Sequence, residues 1–344
     1  MAVALIPPPI TQPSSPVSNP AQGQVSLHNW NPGPRYLGMD YIFTITKTAP
    51  TAGFTSAIIS DVCALLDIRV NTVSKRQHTA YELDKIQSAW DSRLSIKQYD
   101  GIGNDLITAV ADVVAGGNTT RTTTFVVTLN LAEPTRSTYQ MRDFFAWPTS
   151  WNNAAVGKFP ANYTVNIQTA ITIAPASAVY TTANPVVRAE ELIDTVQGLL
   201  NADGSPQMFI THFYRDQVPY ASTSPVLRDW PYTGGGLEQI SFFCQAGDDI
   251  TQIVVKADNA VKVTTSKNAN DTKNVRWGWS SSYPAAAGQA DILHLAFDFT
   301  DDPSDFFPFG AYNVFEVDLT LNQAVAAQKY ITAISQVFKD ALKA

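Results

Sequence analysis

His28, His78, His212 and His294 are spread along the chain, and no two stand at i, i+3 or i+4, the spacings that set two imidazoles on one metal from a single helix face. They read as isolated structural or surface groups, with His294 on the polar face of an alternating stretch. Asp298-Phe-Thr-Asp-Asp-Pro-Ser-Asp305 gathers four carboxylates in eight residues. Hard oxygen donors of that density could hold a cation such as Ca²⁺, but the spacing is not that of an EF-hand loop, and a solvated turn accounts for it. Glu316 and Asp318 are two apart, so on a strand they point the same way, as the paired carboxylates of a glycoside hydrolase could. Alternating charges on the wet face of an antiparallel strand give the same pattern.

Gly234-Gly-Gly236 is followed by Leu237 and Glu238, not by Lys-Ser or Lys-Thr, and makes no phosphate-binding loop; Gly101-Ile-Gly103 is equally uninformative. No Gly-x-Ser-x-Gly occurs, and no nucleophile has an identifiable base. The 7 tryptophans and 13 tyrosines could stack on sugars, though a β-sandwich core or a subunit interface uses the same side chains. Asn118, Asn162 and Asn270 each open an Asn-x-Thr glycosylation pattern, with Asn162 at the head of an expected strand. Cys63 and Cys244 lie in apolar surroundings and are too few for a disulfide framework or a four-ligand zinc site, so both are expected as buried thiols. No catalytic residue, metal or cofactor is expected.

The chain that must position these groups has 344 residues, room for two domains with sizeable cores. Hydrophobic residues make up 45% and charged ones 15%, against a usual charged share of roughly 25%. Such a chain is buried or faces something other than bulk water. The net charge of -7, with no dense basic run, argues against direct nucleic-acid binding through phosphate contacts. No apolar run approaches the length of a spanning helix, and the N-terminus lacks the pattern of a secretory signal.

Residues 1–24 carry six prolines between Pro7 and Pro20. Proline fixes φ and offers no N–H, so this segment is expected as an extended arm that needs a neighbour to lie on. From Tyr41 the dominant signal is alternation of period two. It is clear in Tyr41/Phe43/Ile45, Phe125/Val127/Leu129/Leu131, Tyr163/Val165/Ile167, Leu293/Leu295/Phe297/Phe299 and Phe315/Val317/Leu319/Leu321. Shorter runs at Leu65 to Val73, Ile240 to Cys244 and Ile250 to Lys256 read as further strands.

Three helical patterns interrupt. Thr79 and Glu82 form a capping box ahead of Leu83, Ile86 and Trp90. After Pro185, the stripe Ala189, Leu192, Ile193, Val196 and Leu200 predicts a linking helix over 185–204. Residues 322–344, with Tyr330, Ile331, Ile334, Val337, Phe338, Ala341 and Leu342 on one side and Lys329, Lys339 and Lys343 on or near the other, predict a C-terminal amphipathic helix. Strands, a clean alternating strand and a helix thus occur twice in order. The expected fold is all-β: two tandem jelly-roll β-sandwiches, 25–184 and 205–321, with short connecting helices.

Several segments resemble the double jelly-roll major capsid proteins of the lineage that joins tectiviruses, adenoviruses and the archaeal turreted icosahedral viruses. They are Asp40-Tyr-Ile-Phe-Thr-Ile-Thr-Lys47, the run into Asp67-Ile-Arg-Val70, and Phe125 to Leu131 with Ala132-Glu-Pro134 after it. In the second half they are Met208-Phe-Ile-Thr-His-Phe-Tyr214, Ile240-Ser-Phe-Phe243, Ile250-Thr-Gln-Ile-Val-Val255 and Ala311-Tyr-Asn-Val-Phe-Glu-Val-Asp-Leu319. The resemblance covers roughly residues 25–344 by order and length of elements.

It implies a virion capsid subunit without an active site. Its partners would be two more copies in a pseudo-hexagonal homotrimer, neighbouring capsomers, penton or minor capsid proteins, and an internal lipid membrane. The Pro-rich arm would lock a neighbour, since a pre-extended chain loses less entropy on docking. The C-terminal helix would meet the membrane peripherally through Lys329, Lys339 and Lys343, at about 1 kcal/mol for each lysine over anionic lipid. A tectivirus-like N-terminal amphipathic helix is replaced here by prolines. The alternative function is a carbohydrate-binding or carbohydrate-cleaving β-sandwich that uses exposed tryptophans and the Glu316/Asp318 pair.

Overall fold

The structure, a computed structural model, describes residues 10–17, 21–33, 35–48, 62–90, 97–100, 120–131, 146–152, 162–175, 185–194, 199–228, 234–244, 249–278, 292–298, 303–322 and 328–342. The chain divides into two compact units, one built mainly from residues 1–84 and 94–210, the other mainly from 211–340.

The first unit contains β1 (Ile10–Pro13), β2 (Val25–Asn29), β3 (Arg35–Thr48), β4 (Cys63–Val70), β5 (Val73–His78), β6 (Lys97–Asp100) and β7 (Thr120–Asn130). It continues with β8 (Trp147–Pro148), β9 (Ser150–Asn152), β10 (Asn162–Thr164), β11 (Ile167–Ile173) and β12 (Val186–Asp194). One sheet runs β1-β12-β3-β7-β6, with β8 also on β3. The long β3–β7 ladder runs from Gly38↔Asn130 to Thr48↔Thr120. A second set of strands runs β5-β4-β11-β2. Tyr41, Phe43, Ile45, Phe125, Val127 and Leu129 are buried, as the period-two pattern requires. The α-helix α1 (Ala80–Trp90) starts at the expected capping box. Thr79 N donates to Glu82 Oε2 at 2.7 Å, and Glu82 N to Thr79 Oγ1 at 3.0 Å.

The second unit contains β13 (Phe209–Tyr220), β14 (Val226–Leu227), β15 (Gly236–Phe243), β16 (Ile250–Ala257), β17 (Ala260–Ser266), α2 (Lys267–Arg276), β18 (Ile292–Ala296), β19 (Phe307–Pro308), β20 (Phe315–Leu321) and β21 (Lys329–Asp340). Its strands run β18-β15-β21-β13 and β14-β20-β16-β17. Between them lies one apolar core that includes Leu237, Phe242, Ile253, Leu295, Leu319 and Val337.

Each unit holds a two-residue hairpin with positive φ at both turn positions, Asn71–Thr72 (48° and 70°) and Asp258–Asn259 (47° and 63°). These turns match the right-handed twist of the strands they join. The first one splits the apolar run Leu65 to Val73, which the sequence presents as a single strand.

Two expected helices are strands. Residues 186–194 form β12, not part of a linking helix over 185–204, and pair antiparallel with β3 and β1. Val187, Ala189, Glu191 and Ile193 are buried, while Leu192, placed on the apolar stripe by helical spacing, is 37% exposed. The helical reading fails because a buried glutamate falls among the apolar positions of a period-two pattern. Within 322–344, residues 329–340 form β21, which lies between β15 and β13 and is covered on both faces. A strand buried on both sides shows no alternation, so its continuous apolar run imitates one side of a helix. Conversely, α2 went unforeseen: its inward positions are Asn270 and Asn274, so it has no apolar stripe, although Ser266 Oγ caps it by accepting from Ala269 N at 3.3 Å.

Candidate functional site

The densest polar cluster in the first unit forms where the N-terminal arm meets β12. Ile10–Pro13 adds to the free edge of β12 in register Gln12↔Glu191, so this part of the arm lies on its own unit. Pro13 is tolerated there because an edge strand can spare an N–H. Ser14 N continues the contact by donating to Ala189 O at 2.9 Å.

Glu191 is fully buried and satisfies its carboxylate with four side-chain donors. Oε1 accepts from Gln12 Nε2 at 2.8 Å and Asn31 Nδ2 at 3.0 Å; Oε2 accepts from Tyr36 Oη at 2.7 Å and Ser14 Oγ at 3.3 Å. A buried carboxylate without such donors would be strongly destabilising, so Gln12 and Ser14 make the arm part of what keeps the unit's interior satisfied. Burial and the Glu191 hydrogen bond push the Tyr36 hydroxyl well above its ordinary pKa.

His28, also fully buried, lies beside this carboxylate. Its Nε2 is 3.2 Å from both Ser14 Oγ and Ser15 Oγ, and its Nδ1 is 2.9 Å from Tyr41 Oη. Ser15 Oγ donates to Asn29 O and Ser14 Oγ to Glu191, so both hydroxyls meet the imidazole as acceptors. The ring therefore carries its proton on Nε2 and accepts from Tyr41 at Nδ1. Burial lowers its pKa from 6.5 to about 4. Along the same two strands, Arg35 grips Asp194 in a buried fork, Nε to Oδ1 at 2.9 Å and Nη2 to Oδ2 at 2.6 Å. Nearby, Trp30 packs on Tyr36 and Trp147 with ring centroids 4.7 and 6.0 Å away, and Arg76 lies 5.1 Å over Trp147.

In the second unit one polar cluster closes a sheet edge. Asn270 Nδ2 and Asn274 Nδ2 of α2 each donate to His294 O at 2.8 Å, and Lys273 Nζ donates to Ala296 O at 3.3 Å. Alternate carbonyls of β18 are thus occupied by a helix, which blocks pairing with another strand. His294 itself is buried, its Nδ1 2.8 Å from Ser241 Oγ, and burial lowers its pKa to about 4. It does not occupy a wet face, because β18 is buried at every position.

The groups singled out by sequence do not converge. Glu316 and Asp318 do share a face of β20, but both hold Lys256, with Nζ 3.1 Å from Glu316 Oε1, and Arg228 Nε stands 2.8 Å from Glu316 Oε2. The hydrogen bonds from Lys256 to Asp318 and Glu316 hold its ammonium above the usual range. Asp298 is buried, Asp305 is exposed, and Asp301 and Asp302 lie outside the described residues. Among the described residues no group of three or more His, Cys, Asp or Glu could hold a metal.

Cys63 and Cys244 are free and buried, and burial raises the Cys63 thiol to about 12. Trp30, Trp147 and Trp151 are buried, whereas Trp277 is half exposed. Asn162 is exposed at the head of β10; Asn270 is buried with its amide committed to β18, which closes it to glycosylation; Asn118 lies outside the described residues.

Lys329 and Lys339 stand near opposite ends of β21, about 33 Å apart at the usual rise of an extended strand, and do not share the polar side of a helix. Lys339 Nζ lies 5.2 Å over the Tyr214 ring, and partial burial lowers its pKa. Lys343 lies outside the described residues. The Gly234–Gly236 run serves packing. A Cβ on Gly235, at φ 88°, would stand 2.7 Å from Phe338 O, and one on Gly236 2.7 Å from Phe306 Cβ. Sequence reasoning missed Glu191 because its donors come from residues 12, 14, 31 and 36.

No family model matches the chain, and no curated protein does. Solved structures match over nearly its whole length. The major capsid protein P2 from Bacteriophage PM2 superposes with TM-score 0.62 at 12% identity, over 97% of this chain and 99% of that one. The PBCV-1 virus capsid matches with TM-score 0.64 at 9% identity, over 98% and 95%. The major capsid protein of STIV matches with TM-score 0.60 at 11% identity, over 96% of each. At these identities the likeness defines a fold, and it is the double jelly roll.

Proposed function

We propose that the protein is a non-catalytic structural subunit of a virus capsid. The observation that carries the reading is reciprocal coverage: 97% of this chain superposes on 99% of a major capsid protein, so the likeness takes in both sandwiches and not one alone. The polar chemistry described above supports it, because Glu191 and His28 are engaged in holding the arm, and Asn270, Asn274 and Lys273 in closing an edge. The carboxylate pair Glu316/Asp318, held by Lys256 and Arg228, gives the carbohydrate-cleaving alternative no supporting observation.

In its finer form, three copies close about a threefold axis, so that two similar sandwiches per chain produce a six-cornered capsomer. Capsomers then tile an icosahedral shell beside one another and beside penton or minor capsid proteins, above an internal membrane. Light scattering on the purified chain, followed by electron microscopy of concentrated samples, tests this. Trimers that associate into hexagonally packed arrays are expected, and a stable monomer at micromolar concentration would overturn it.

A peripheral membrane contact by Lys329, Lys339 and Lys343 belongs to the same proposal. Removal of residues 322–344 would take out β21 and unfold the unit, so the suitable probe is vesicle flotation of the Lys329→Glu, Lys339→Glu and Lys343→Glu variants. Loss of binding to anionic vesicles supports the contact, and binding equal to the parent chain removes it.

A further inference from the structure

We propose that the arm segment Ile10–Ser15 is a detachable strap and that His28 is its proton-operated catch, which keeps the strap seated on β12 only while the imidazole is neutral. The strap's own attachment is slight: the residues of β1 are all exposed, so apolar burial contributes little, and hydrogen bonds to β12, Glu191 and His28 do the holding. Elements with little buried apolar contact are the ones that open locally.

The catch lies in the arrangement of donors and acceptors. With Nε2–H directed at the two serine hydroxyls, a second proton must enter at Nδ1. There Tyr41 Oη already donates, while the Trp30 indole N–H is given to Thr169 Oγ1 at 3.0 Å. A second proton at Nδ1 would therefore have to turn the Tyr41 hydroxyl away from the ring, inside a fully buried site. Lifting the strap uncovers Nε2 and admits water, which lets the ring charge. The other titratable groups around it are Glu191 on β12, Tyr36 and Tyr41 on β3, and Cys63 at the start of β4. Burial holds both tyrosines and the cysteine neutral. The Ser15 backbone, through a hydrogen bond to the ring, and then Glu191 oppose the effect by favouring the cation, but burial outweighs both. Arg35 and Asp194 neutralise each other.

The sign follows from proton linkage. The seated state has the lower pKa, so seating is fully favoured above pH 6.5 and weakens as the pH falls toward 4, by at most about 300-fold across that window. Hydrogen exchange on the full chain reads this directly, because the Ser14 amide is bonded to Ala189 O. After correction for intrinsic exchange, protection across residues 10–15 should drop over pH 6.5 to 4 in the parent chain. It should stay level in His28→Gln, whose amide can donate to the serines and accept from Tyr41. Glu191→Gln should weaken the strap at every pH yet keep the dependence. Level protection in the parent, or a dependence that survives in His28→Gln, overturns the proposal. Should His28→Gln not fold, an NMR titration of His28 replaces it. A midpoint near 4 that climbs toward 6.5 in the Ser14→Ala/Ser15→Ala chain supports the catch, and an unmoved midpoint refutes it.

Discussion

The two units reach the same architecture with different interiors. The first places a carboxylate, an imidazole and a guanidinium–carboxylate fork inside its sandwich and satisfies them with partners from distant parts of the chain. The second gathers a continuous aliphatic and aromatic cluster, buries Glu238, Gln239 and Gln336 beside it with Thr211 Oγ1 donating to Glu238, and places the amides of Asn270 and Asn274 on the β18 edge. Apolar packing is non-directional and tolerates adjustment, whereas a buried ion pair fails when one member is lost. The first unit should therefore be brittle to single substitutions at polar positions and the second to loss of volume.

Asp194→Ala tests the brittle side hardest. It leaves Arg35 charged and 3% exposed, and should cost roughly 3–5 kcal/mol in urea unfolding. The double replacement Arg35→Met/Asp194→Leu should restore most of that stability, and a cost equal to the single variant would break the contrast. Close behind, Leu319→Ala in the second unit should cost roughly 2–5 kcal/mol through the cavity it opens.

His294 adds a pH dependence to the second unit. Its folded pKa of about 4 lies below the unfolded value of 6.5, so its contribution is fully present above pH 6.5. As the pH drops toward 4 the unfolded chain binds the proton first, and stability falls by at most about 3 kcal/mol. His294→Gln should flatten that part of the stability profile. The smallest effect is a gain: Thr72 sits at φ 70°, where a β-branched residue is strained, and Thr72→Gly should raise thermal stability by about 1 kcal/mol. The equivalent change at Asn259 should give less, because Asn adopts that region more readily.

How much could be read in advance follows from how local each signal is. The faces of β3, β7 and β20 were legible because each strand buries one side, and so was the capping box of α1, closed within four residues. β12 and β21 were not. Glu191 among the inward positions of β12 reads as polar until Gln12, Asn31 and Tyr36 are folded around it, and β21 lost its alternation because both of its faces are buried. The candidate site suffered most, since no motif links Ser14, His28, Tyr41 and Glu191 along the chain. The sequon at Asn270 is the converse case, a complete local motif closed by a contact with β18.

By itself the amino-acid order determined an all-β chain of two successive sandwiches, two buried thiols and the extended course of Ile10–Pro13, because alternation, residue size and fixed φ act over a few neighbouring residues. Tertiary structure alone decided that the last long element is a strand, that the arm seats on Glu191 and His28, and that a helix closes β18. Each of these depends on which distant groups arrive to bury a face or satisfy a charge.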